Sequence, residues 1–82
     1  MELKIFTSDS SKLESCLNRN GFRFQAKGFI VDPEEPDAGE FGLYHVYSDL
    51  YKSSEELVNF IGKDINWSVD LGWIDSEGNM YN

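Results

Sequence analysis

Along the chain, apolar and polar positions change period several times, and each change marks an element. Leu3 and Ile5 alternate with Glu2 and Lys4 over residues 1–7, the period of two that a half-buried strand requires. Ser8-Asp9-Ser10-Ser11 then supplies candidate helix caps, with Ser11 and Glu14 in the spacing of a capping box. Leu13, Cys16 and Leu17 follow at i, i+3, i+4, one apolar stripe of a short helix, and Asn20-Gly21 offers the left-handed stop. Phe22, Phe24 and Ala26 alternate with Arg23, Gln25 and Lys27. Gly28 interrupts the pattern before Phe29-Ile30-Val31, which predicts a second strand with a bulge at the glycine.

Residues 41–48 are rich in aromatic and β-branched side chains and predict a third strand, paired with the second as an antiparallel hairpin. Ser53 and Glu56 again have capping-box spacing. Leu57, Phe60 and Ile61 repeat the helical stripe, and Gly62 is the expected end of that helix. Trp67, Val69, Leu71 and Trp73 alternate with Ser68, Asp70 and Gly72, which predicts a fourth strand with one bulky face. Asp75 to Asn79 is a turn signal, and Met80-Tyr81 could add a very short edge strand.

The expected order is β-α-β-β-α-β with a possible terminal hairpin. It implies an α+β two-layer sandwich of ferredoxin-like order: an antiparallel sheet of four or five strands with two helices on one face. A more open arrangement, with the last strands as a separate hairpin, is the alternative. At 82 residues one domain, 1–82, is expected, with a single core between two layers. The longest apolar run, Phe29 to Val31, is far short of a membrane span or a secretory signal. One cysteine forbids an internal disulfide, so the expected compartment is reducing and cytoplasmic.

Charge changes this picture more than composition does. The chain carries 15 acidic and 7 basic side chains, a net charge of −8. Residues 1–31 hold Lys4, Lys12, Arg19, Arg23 and Lys27 against Glu2, Asp9 and Glu14, whereas residues 32–82 hold only Lys52 and Lys63 against a long series of carboxylates. The densest stretch is Asp32-Pro33-Glu34-Glu35-Pro36-Asp37-Ala38-Gly39-Glu40, where two prolines and a glycine predict a stiffened loop.

Chemistry finds little purchase. Cys16 and His45 are the only thiol and imidazole, and Cys16 lies on an apolar helix stripe where cysteine acts as a small hydrophobe. No G-x-S-x-G elbow, G-x-G-x-x-G or Walker sequence occurs. One Cys and one His cannot build a zinc tetrad. Asp75, Glu77 and Asn79 lack the closing glutamate of a calcium loop and suit a hairpin turn better. Arg23 and Lys27 share a strand face with Gln25, a poor footprint for nucleic acid within so acidic a chain. Glu55-Glu56 suits a helix N-terminus rather than an acid–base couple. The expectation is therefore a protein that is not an enzyme, with no cofactor, no metal, no direct nucleic-acid contact and no membrane contact, present as monomer or homodimer.

What remains is an acidic, tyrosine-bearing surface. Asp32, Glu34, Glu35, Asp37 and Glu40 are followed by Tyr44, Tyr47, Asp49 and Tyr51, then Glu55 and Glu56. Tyrosine favours protein interfaces, and surrounding carboxylates steer association with a basic partner. In size, charge and lack of catalytic motifs the chain resembles small acidic inhibitor proteins: phage-encoded anti-CRISPR and DNA-mimic proteins and bacterial nuclease-immunity proteins. That resemblance implies a non-enzymatic inhibitor docking on the basic surface of a nucleic-acid-processing protein or complex. The alternative expectation is a small regulatory or structural domain that self-associates through its sheet face.

Overall fold

A computed structural model describes residues 2–82. The elements run β1 (Glu2–Thr7), α1 (Ser10–Arg19), β2 (Arg23–Val31), β3 (Glu40–Tyr47), α2 (Ser54–Asp64), β4 (Leu71–Ile74) and β5 (Met80–Tyr81), with a 3₁₀ turn at Pro36–Ala38 between β2 and β3. The strands form one antiparallel sheet in the order β2-β3-β1-β4-β5. This is a ferredoxin-like two-layer order with β5 added at one edge. β4 pairs directly with β1, so the terminal hairpin belongs to the sheet and is not a separate unit. The expected first strand included Met1, which lies outside the described residues.

Alternation decides which side of the sheet the helices cover. Leu3 and Ile5 of β1, Tyr44 and Val46 of β3 and Leu71 of β4 pack against Leu13, Cys16 and Leu17 of α1 and Leu57, Val58, Ile61 and Ile65 of α2 and its C-terminus. The opposite, helix-free face carries Glu2, Lys4 and Phe6, aligned with Tyr47, His45 and Leu43. On this face Phe6 and Phe41 meet edge to face at 5.6 Å and are only 1% and 7% exposed. Asp32, Pro33 and Glu34, beyond one edge strand, line the same cleft of about 450 Å³ as Gly78–Asn82 at the other edge. Flat-sheet geometry would hold those edges about 19 Å apart. The acidic connection therefore reaches across the open face toward β5.

Local signals explain most boundaries. The bulge stands where expected: the β2–β3 register slips between Ala26 and Phe29, and Gly28 takes φ +90°, which a side chain would resist. Asn20-Gly21 ends α1 in a Schellman turn, Phe22 N–H donating to Leu17 C=O at 2.9 Å. Three expectations need correction. The cap of α1 is Asp9, whose carboxylate accepts the Lys12 N–H at 3.1 Å, and not Ser11. Glu14, freed from a capping box, instead accepts the Tyr44 hydroxyl. Helix α2 does not stop at Gly62 but runs to Asp64, and its Schellman turn uses Asn66 in the left-handed region, with Trp67 N–H donating to Gly62 C=O at 2.7 Å.

The third correction follows from the second. Trp67 folds back over Gly62, where a methyl group would collide with its ring, so it belongs to the end of α2. The fourth strand begins only at Leu71, and the alternation from Trp67 to Trp73 does not describe one bulky strand face.

Candidate functional site

Strand register sorts the candidate residues into two groups. Phe29, Gly42, Thr7 and Leu71 form one row across the sheet, because Gly42 pairs with both Phe29 and Thr7, and Thr7 with Leu71. Beyond this row β2 and β3 run on into the acidic loop, β1 gives way to the β1–α1 connection, and Asp70 precedes β4. Arg23, Tyr47 and Glu2 form the row at the other end. From Glu40 to Tyr47 the strand climbs seven residues, about 23 Å at ~3.3 Å each. Asp32, Glu34, Glu35, Asp37 and Glu40 thus stand at one end, while Tyr47, Asp49, Tyr51, Glu55 and Glu56 stand at the other. Neighbours along the chain are divided in space by the strand that joins them.

The acidic loop is built rather than slack. Asp32 accepts the Glu34 N–H on its carboxylate at 2.9 Å and the Glu35 N–H on its carbonyl at 3.1 Å. Pro36 opens the 3₁₀ turn, which Ala38 N–H closes onto Glu35 C=O at 3.0 Å. Asp32 is half-buried, and Glu34, Glu35, Asp37 and Glu40 are exposed. Two further carboxylates belong to residues flanking β1 and β4. Asp9 caps α1, and Asp70 is tied to Ser8 by two hydrogen bonds, Ser8 N–H to its carbonyl at 3.0 Å and its own N–H to Ser8 Oγ at 2.9 Å. The signal for both was present only as the strand ends they flank.

The tyrosines divide differently from the acids. Tyr44 is turned inward: its ring is 3% exposed, and its hydroxyl donates to Glu14. Burial, and then that hydrogen bond, push its pKa up. It offers no surface to a partner. Tyr51 packs with Phe60 at 5.6 Å and Phe22 at 6.1 Å, closing the aromatic end of the core. Tyr47 lies on the open face with the Arg23 guanidinium 5.7 Å from its ring centre, and its hydroxyl donates to Gln25 at 3.3 Å. Glu55 and Glu56 occupy the first turn of α2, whose cap Ser53 accepts the Glu56 N–H at 3.2 Å.

The apolar residues next to the acidic loop are instead Phe29 and Val31, 68% and 47% exposed on β2. Three consecutive apolar residues on an edge strand cannot all face inward, and this was the legible sign.

Cys16 and His45 cannot act together. Cys16 is fully buried in the helix layer, whereas His45 sits on the open face of the sheet, paired with Glu2. The thiol is pushed up to about 11 by burial and by hydrogen bonding to Asp64, which also pairs with Arg19. Asp75 is a turn residue: it accepts the N–H groups of Glu77 and Asn79 at 2.9 and 2.8 Å and the Tyr81 hydroxyl at 2.9 Å. Among the described residues no group of three His, Cys, Asp or Glu side chains is placed to hold a metal, and no helix is long and apolar enough to cross a membrane.

Comparisons with known protein families, curated proteins and solved structures found no match. The site therefore rests on its own geometry: five carboxylates carried on one ordered connection between β2 and β3, with the exposed apolar pair Phe29 and Val31 beside it.

Proposed function

We propose that the protein is a small non-enzymatic binding protein whose acidic end docks on a basic surface of a nucleic-acid-processing protein or complex and blocks it. The observation that carries this reading is the ordered acidic loop, which carries Asp32, Glu34, Glu35, Asp37 and Glu40 between β2 and β3 at the end of β3 remote from Tyr47. Internal hydrogen bonds hold part of that loop in place before any partner arrives. A preformed acidic surface loses little entropy on docking and steers encounter with a cationic one. Asp49, Tyr47, Tyr51, Glu55 and Glu56 stand outside this end and support the fold or a separate surface.

The test is capture of nucleic-acid-binding proteins on the immobilised chain at low and high salt, with elution by duplex DNA. Wild-type protein should capture a partner that DNA displaces, and capture should weaken as salt screens the contact. The variant E34Q/E35Q/D37N/E40Q should lose it. Capture indifferent to those neutralisations, or to salt, would sink the reading.

A further inference from the structure

The two edges of the sheet are unequal. β5 is two residues long, whereas β2 is nine residues long, contains no proline and pairs through β3 alone among the described strands. Such an edge presents unpaired N–H and C=O groups to another strand. Seven of its nine residues are exposed, including Phe29, Val31 and the small Ala26.

The bulge decides what can pair with it. In a regular strand, two copies related by a two-fold axis face each other only at positions of matching parity, since side chains alternate faces. The extra residue between Ala26 and Phe29 shifts that parity by one. A register that sets Ala26 of one copy opposite Phe29 of the other then places both on the helix side. The same register sets Phe24 against Val31 on that side, and Gln25 against Ile30 on the open side. Lys27 of each copy falls opposite Gly28, so two lysines do not face each other directly. At each end, Arg23 comes opposite Asp32. Large thus meets small at the centre, and basic meets acidic at both ends.

From this self-complementarity we infer that β2 is a homodimer interface: two copies pair antiparallel through this edge, making one ten-stranded sheet with all helices on one side. The occupant is a second copy because the edge satisfies its own charge and shape requirements, as an isologous contact must. The dimer would carry its two acidic ends about 30 Å apart, the length of the nine-residue strand at ~3.3 Å per residue. The inference stands independently of the docking reading.

Sedimentation velocity of the whole chain over a wide concentration range tests it. Wild-type protein should reversibly reach twice the monomer mass, with the β2 amides protected from hydrogen exchange in the dimer. R23E sets two acids face to face and D32K two bases, twice each by symmetry, so either should weaken dimerisation by about tenfold. The double variant R23E/D32K should restore it. Because Asp32 also accepts the Glu34 N–H, D32N serves as the variant that can keep this turn while removing the charge, and it should show a smaller loss. A wild-type chain that stays monomeric would overturn the inference. So would a dimer indifferent to both single reversals, or a folded double variant that fails to recover.

Discussion

Cys16 shows how a reactive group becomes a structural one. Its position on the stripe with Leu13 and Leu17 puts it in the core, and burial raises its thiol from the usual 9.0 to about 11, with Asp64 adding to the effect. A raised pKa contributes stability that is complete below the unfolded value and is lost as pH climbs through the folded one. Between pH 9 and 11 the melting temperature of the wild-type chain should therefore fall more steeply than that of Cys16→Ala, as followed by circular dichroism; equal slopes would refute the assignment. Gly72 shows the opposite case, a residue important for what it lacks. A methyl group there would strike the Phe6 ring and the backbone carbonyl of Tyr81, and the carbonyl cannot swing aside as a side chain can. Gly72→Ala should cost about 1–3 kcal/mol in chemical denaturation, the usual range for overpacking.

At the scale of elements, the ends of helices and hairpins carry the information. Both Asp9 and Ser11 look like caps in sequence, but only Asp9 has its side chain on an unpaired helix N–H. Asp9→Ala should cost about 1 kcal/mol and Ser11→Ala less than about 0.5. Chemical denaturation of the two variants side by side distinguishes them. The β4–β5 hairpin depends on Asp75 in the same way. Partial desolvation pulls that carboxyl's pKa up, but the N–H groups of Asn79 and Glu77, the Asn79 amide and the Tyr81 hydroxyl outweigh it and hold the carboxyl below its ordinary value. Stability from a depressed carboxylate is present above its unfolded pKa and lost as pH falls through the folded one. Acidification, or Asp75→Ala, should therefore loosen β5 and the Trp73–Tyr81 stack at 4.3 Å. The readouts are tryptophan fluorescence and amide exchange at residues 79–81, while the rest of the sheet holds.

For the whole molecule, charge and fold are separable. Glu34, Glu35, Asp37 and Glu40 are exposed at one end and contribute no side chain to the core. Neutralising all four should leave unfolding free energy within about 1 kcal/mol of wild type, or raise it slightly by relieving repulsion, while abolishing capture of a basic partner. Much of the architecture was legible along the chain because its causes are local. The alternation of Leu3 and Ile5, the two apolar helix stripes, Gly28 at the bulge and the Asn20-Gly21 stop each follow from the geometry of one segment. What was not legible depended on competition between segments. Ser11 lost the cap to Asp9 two residues earlier, and Trp67 left the strand pattern because Gly62 gave its ring a seat on α2. The candidate surface shows the same division. Sequence alone determined that carboxylates concentrate in residues 32–40 and that a proline-bearing loop displays them. Only the tertiary structure decided that Tyr44 points into the core, that Tyr47 and Glu55 stand a strand's length away, and that Asp70 meets the β1–α1 connection at Ser8. A strand rises about 3.3 Å per residue, so it separates chain neighbours across the domain, while lateral pairing brings remote strand ends together.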